Sequence, residues 1–276
     1  MKIIAIAMAR AICFVSLEDL NPRGRIFYPD LSKGLVEEFR FQKAPTGLWE
    51  LDLQSGISFE DGKVGDIVVQ KLSIYRTGFV IDTISSTSDS EKALEDILGW
   101  GVKNFGVNYH PSMITRTGYY SQIVAHLDLP LDRLNPVLAS TSKIVSEMVA
   151  RNFNMSIPYE TSAVHLSFDP SRTTLTPGGF SIEKRAGHPF SENRYFCGAP
   201  LRTEEHIDVL QRFEDEAAGR EPSKLEIESV LSDASKSVSF WMEHADANEM
   251  RDLQRAVDTI RNVKEFALKR QQSKIS

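Results

Sequence analysis

The stretch that decides the fold is Ile67-Val68-Val69-Gln70-Lys71-Leu72-Ser73-Ile74-Tyr75, followed by Arg76-Thr77-Gly78 and then by Phe79-Val80-Ile81-Asp82-Thr83-Ile84. Both apolar runs are β-branched and aromatic, and a short connection containing glycine between such runs reads as a β-hairpin. Alternation in the first run puts Val68, Gln70, Leu72 and Ile74 on one face. Gly78 can take a positive φ without steric cost. The Ser/Thr/Asp cluster from Ser85 to Asp89 then offers side-chain oxygens as a helix cap. Leu94, Ile97, Leu98, Val102 and Phe105 follow at helical spacing, and Gly106 stands where a left-handed terminal residue would. The unit is ββα.

Working outward, Lys2 to Val15 reads as an opening strand. Arg10 interrupts its apolar run, whose uncharged length falls short of a membrane span. Asn21-Pro22-Arg23-Gly24 is a turn, Asp30 to Phe39 a short helix, and Ala44 to Gly65 a set of short strands and turns. Gly118 to Leu129 alternates as a long strand. Asn135-Pro136 opens a helix carried by Leu138, Ile144, Val145, Met148 and Val149 to about Arg151. Tyr159 to Phe168 and Phe180 to Arg185 read as two more strands, joined by a loop rich in Pro, Thr and Gly. The expected fold is therefore α+β, with a mostly antiparallel sheet and helices on one face over residues 1–200.

Composition shifts near Ala199-Pro200, and residues 201–276 read as a helical, coiled-coil-like region. Thr203, Glu204 and Glu205 suit a helix start, with Ile207, Leu210, Phe213 and Ala217 as its seam. Ile227, Leu231, Ala234, Val238, Trp241 and Ala245 alternate spacings of four and three, which is a heptad seam. Met250, Leu253, Val257, Ile260, Lys264 and Ala267 form another, out of phase by one residue. Residues 203–233 hold ten acidic and three basic side chains, and residues 250–276 hold three acidic and seven basic, so charge favours docking of such segments within or between chains.

The chain has 276 residues, 41% hydrophobic and 25% charged, ordinary values for a globular protein with a sizeable core. A net charge of -6 argues against a general polyanion binder. Cys13 and Cys197 show no metal-ligand or redox spacing, which points to a reducing, cytoplasmic setting and to buried thiols. The six histidines lack HxH, HxxxH and HExxH spacing, although His126 and His165 both fall in strands. Thr176-Pro177-Gly178-Gly179 lacks the spacing of a phosphate loop, and no serine sits in a nucleophile elbow.

Two chemical alternatives centre on residues 169–202. Asp169 and Glu183 with Lys184 could serve a metal-dependent phosphodiesterase or nuclease, but adjacent Glu183 and Lys184 point to opposite faces of a strand. Lys184, Arg185, Arg194 and Arg202, interleaved with Tyr195 and Phe196, could contact an anion or a nucleic acid. The expectation that best fits the whole is a non-catalytic interaction or scaffold protein without a cofactor. It would associate with itself or with a partner protein through Ile227, Leu231, Val238, Trp241, Leu253, Val257 and Ile260.

Overall fold

A computed structural model describes residues 1–46, 52–172, 176–219 and 257–258. The hairpin stands as the sequence predicts. β3 (Ile67–Tyr75) and β4 (Gly78–Thr83) pair antiparallel, and α3 (Thr87–Phe105) follows, with Ser86 Oγ accepting from Asp89 N at 3.0 Å and Gly106 closing it at φ 67. The phase of β3 differs from simple alternation. Its register against β4 shifts between Val69 and Lys71, so Val69, Leu72 and Ile74 are buried while Val68 is exposed. An extra residue in one strand flips every side chain beyond it to the other face.

Around this unit runs one eight-stranded antiparallel sheet in the order β2-β3-β4-β1-β5-β8-β7-β6. β1 spans Lys2–Phe14, β2 Ile57–Val64, β5 Arg116–His126, β6 Ala163–Leu166, β7 Phe180–Lys184 and β8 Arg194–Ala199. The remaining helices are α1 (Leu17–Leu20), α2 (Tyr28–Phe39), α4 (Pro136–Phe153) and α5 (Thr203–Ala217). β8 has no counterpart among the strands expected from the sequence: it pairs with both β5 and β7, and Tyr195 and Cys197 are fully buried.

Two equivalent halves make up the sheet. Apart from the four-residue α1, each runs strand, helix, three strands, helix: β1-α2-β2-β3-β4-α3 and then β5-α4-β6-β7-β8-α5, and β1 pairs with β5 at the centre. The strand order reads the same from either end once the halves are exchanged. The joint lies where Ala9 faces Ser121, and above it Thr87 and Thr203 each accept a hydrogen bond from the other's backbone N–H, both at 3.0 Å. Corresponding positions match in burial. Leu72 opposite Ile81 in the first half and Ile182 opposite Cys197 in the second are all fully inaccessible.

The larger core lies in the first half, where α2 and α3 cover Ala11, Cys13, Phe59, Leu72 and Ile81. The second core is smaller, built on Ile123, Ala125, Leu131, Ile182, Tyr195 and Leu210. Contacts divide the chain into one unit over Met1–Ala217 and another over Ala218–Ser276. The helix placed by composition beyond Pro200 thus packs with the sheet, through His206, Leu210 and Glu214. Among the described residues no helix is long and apolar enough to cross a membrane.

Gly78 earns its place by close approach. At φ 148, a Cβ there would lie 2.0 Å from the Cys13 carbonyl oxygen, whereas one on Gly65, at φ 56, would meet nothing within 4 Å. Gly78→Ala is expected to cost about 3 kcal/mol or more, and Gly65→Ala only about 1 kcal/mol. Urea unfolding midpoints of the two variants, read side by side, check the ranking.

Candidate interaction surface

α4 begins with Asn135 as its cap, whose Oδ1 accepts from Val137 N at 2.9 Å, and with Pro136 as its first residue. It ends at Asn154 in the left-handed region, φ 49. Its counterpart α2 buries Leu35 and Phe39 in the first core, where Phe39 meets Trp100 edge-on with ring centroids 5.4 Å apart. α4 buries no residue. The 3-10 turn Leu131–Leu134 supplies the reason: Leu131 is buried in the second core, Leu134 packs against it, and α4 rests mainly on this turn.

The helix carries two stripes. Ala139, Ser142, Val145, Ser146, Val149 and Ala150 are half-buried and face inward. Val137, Thr141, Ile144 and Met148 face out, with Val137 69% and Met148 52% exposed. Beyond the helix the chain turns back, and Tyr159 N donates to Ser146 Oγ at 2.8 Å. This return leaves Phe153 (70%), Met155, Ile157 and Tyr159 exposed as well. Asp132 Oδ1 anchors the segment by accepting from Thr161 N at 2.8 Å and from Thr161 Oγ1 at 2.5 Å. Clustered large apolar side chains rimmed by polar ones mark interaction sites more often than scattered ones do.

The residues considered for chemistry are placed otherwise. Asp169 caps its own turn, Oδ1 accepting from Ser171 N at 2.9 Å and from Ser171 Oγ at 2.7 Å, and these bonds hold its carboxyl below the usual range. Glu183, on β7, lies 3.8 Å from His165 Nε2. Among the described residues no three His, Cys, Asp or Glu side chains gather as a metal site. Lys184 Nζ donates to Phe190 O at 2.7 Å and Asn193 Oδ1 at 3.3 Å, over the rings of Phe190 and Tyr195, and burial lowers its pKa. Arg194 pairs with Glu192 at 3.1 Å. Arg202 grips Glu91 with both terminal nitrogens, at 2.7 and 3.1 Å, and stacks on Tyr119. Arg185 takes part through its backbone, donating to Arg194 O. Lys184, Arg194 and Arg202 are thus each engaged by partners within the fold.

His126 and His165 do not meet, because β8 and β7 separate their strands. The thiols of Cys13 and Cys197 are buried and pushed up, to about 11 and about 12, by desolvation. An apolar cavity of about 70 Å³ lies beneath α2, lined by Leu17, Leu35, Phe59, Phe79, Ile97 and Leu98 among others. It is far smaller than an ordinary ligand pocket, which spans about 300–1,000 Å³. Of the expected interface residues, Val257 is half-buried, while Ile227, Leu231, Val238, Trp241, Leu253 and Ile260 lie outside the described residues. No family model matches the sequence, and no curated protein is found similar to it.

Sequence reasoning missed the polar group under α5. His206 is fully buried and its Nδ1 lies 2.7 Å from Ser121 Oγ, while Nε2 has no partner. Ser90 occupies the equivalent place in α3, donating to Ala9 O at 2.8 Å. Enclosure on this scale leaves no path for a substrate, so the pair reads as a packing device. Just over two helical turns further on, Glu214 is buried too, paired with the Met1 ammonium and accepting from Asp128 N.

Desolvation lowers the His206 pKa from 6.5 to about 4. The unfolded chain therefore takes up a proton below about pH 6.5 that the folded chain refuses until about pH 4. Stability is expected to fall across that window by on the order of 3 kcal/mol. His206→Gln keeps a donor and an acceptor but does not titrate. Unfolding free energies of both proteins at pH 7, 6, 5 and 4 should diverge at neutral pH and converge in acid.

Proposed function

We propose that this protein is a non-catalytic interaction protein that works by assembly, with itself or with a partner protein, through apolar helical faces. The observation that carries the reading is the outward stripe of α4, Val137, Thr141, Ile144 and Met148, continued by the exposed Phe153, Met155, Ile157 and Tyr159. A globular domain that leaves one face of a five-turn helix without an internal use gains by covering it. The 4-3 spacing of Ile227, Leu231, Ala234, Val238, Trp241 and Ala245 supports the same reading from sequence, on residues outside those described.

A metal-dependent nuclease draws no support from the geometry, because Asp169 is turned to its own turn and Glu183 to His165. A nucleic-acid surface over 184–202 draws little, since Lys184, Arg194 and Arg202 are held by partners within the fold.

Light scattering on the full chain tests the reading. The expected mass exceeds that of one chain, or the chain retains a partner protein that a variant bearing both Ile144→Glu and Leu231→Glu does not. A single-chain mass at every concentration, with identical captured material for the parent and the variant, overturns it.

A further inference from the structure

We propose that α5 is an acid-released latch: as pH falls below neutral it swings off the sheet about its N-terminal joint with α3, while α3 and the first core stay packed.

α3 and α5 correspond position by position at an offset of 116 residues, the separation of the reciprocally bonded Thr87 and Thr203. The inward stripe of α3 reads Thr87, Ser90, Leu94 and Leu98, reinforced by the buried Ala93, Ile97 and Gly101. On α5 the same four places hold Thr203, His206, Leu210 and Glu214, and these are all the residues it buries. Ile207 and Phe213 add half-buried contact. Leu210 is thus the one apolar side chain that α5 buries, and the helix depends on polar anchors where its counterpart depends on aliphatic packing.

One of those anchors tolerates no added proton. His206 Nδ1 lies 2.7 Å from Ser121 Oγ on β5, the Phe180 ring of β7 stands edge-on at 6.1 Å, and Nε2 has no partner. An imidazolium donates from both nitrogens and carries a charge. The site answers one nitrogen only, and burial holds the pKa at about 4. Titratable groups on the surrounding elements are engaged with one another. Glu91 of α3 holds Arg202 and Tyr119 of β5, and Glu205 accepts from Arg202 N. On β7, Glu183 lies 3.8 Å from His165 and Lys184 donates to Phe190 O. Glu214 pairs with the Met1 ammonium and accepts from Asp128 N. The Cys197 thiol of β8 is buried, its pKa pushed up to about 12. Among the described residues no carboxylate pairs with His206.

Release removes the conflict. Once α5 swings out, the imidazole meets water and takes up one proton from it with an ordinary pKa of 6.5. Pro200-Leu201-Arg202, between β8 and α5, is the link that turns, and no strand pairing has to break. Between pH 7 and pH 5 the linked proton multiplies the open population about twentyfold.

Hydrogen exchange of the full chain tests the latch, read peptide by peptide by mass spectrometry at pH 7, 6 and 5 and corrected for the intrinsic rate at each pH. A fifteen-residue helix without its packed face is marginal in water, so the released α5 exchanges. Peptides within 207–217 are expected to be about tenfold or more less protected than those within 90–105 at pH 7. They should lose a further factor of about twenty by pH 5. In His206→Gln, which does not titrate, most of that further loss should vanish. Equal protection of the two helices in the parent would mean that they open as one body, and it overturns the proposal. So does α5 protection that stays constant from pH 7 to pH 5. Both outcomes are read on the parent alone, so a His206→Gln chain that folds poorly leaves the test standing. A folded His206→Gln with the parent's pH dependence overturns it as well.

Discussion

Two helices start at the same point above the centre of the sheet, and everything else is arranged around that meeting. α3 and α5 bring their N-termini together over β1 and β5, where positive helix ends and unpaired N–H groups would otherwise crowd one another. Thr87 and Thr203 resolve the conflict by each accepting from the other's N–H. Acidic side chains sit in both first turns, and Glu91 neutralises Arg202 beside the joint. The approach is possible because the strands beneath carry small residues, Ala9 and Ala11 on one and Ser121 on the other, all fully or almost fully inaccessible.

The two halves have diverged around this shared joint. On the first, α2 closes the core with Leu35 and Phe39; on the second, a 3-10 turn does so with Leu131, and the helix after it is left with an uncommitted face. Similar substitutions run through the polar positions. Where α3 places Ser90 to reach a strand carbonyl, α5 places His206 to reach Ser121. The second half thus buries an imidazole and a carboxylate in a smaller core, and it answers them with internal partners: Ser121 for His206 and the Met1 ammonium for Glu214. Away from α2 and α3, a row across the sheet runs Glu60, Lys71, Asp82, Arg10 and Tyr120, with Arg10 gripping Asp82 at 2.7 and 2.8 Å. Opposite charges on neighbouring strands help to hold the register within the first half.

Local signals in the sequence were sufficient for the central hairpin, α3 with its Ser86 cap and Gly106 stop, and the long strand β5. Each is set by residues close in the chain. The bulge at Val69–Lys71 was not legible, because it is decided by the pairing of β3 with β4 and leaves no special residue behind. β8 was hidden for a related reason: Arg194-Tyr195-Phe196-Cys197-Gly198-Ala199 is short, and its strand character comes from two neighbours distant in sequence. The duplication escaped notice because threonine at 87 and 203 and leucine at 94 and 210 are rare identities among equivalent positions. For α4, the apolar period predicted a helix correctly but pooled two stripes. Val145 and Val149 face the body, while Ile144 and Met148 face away. Hydrophobicity alone cannot say which stripe is spoken for.

The pairing of β1 with β5 has a temporal consequence. Lys2 finds its partner in His126, and β1 also waits for β4 to close its other side, so β1 is enclosed only once β5, far along the chain, is in place. Contacts between such distant residues form slowly, since a long loop must close before they repay it. On the ribosome the first half can assemble up to Phe105, yet it keeps one long bare edge of β1 until the second half emerges. A thirteen-residue edge is a template for pairing with any other extended chain. Arg10, set in the middle of that strand, places a charge on the template during the interval when the chain is half made.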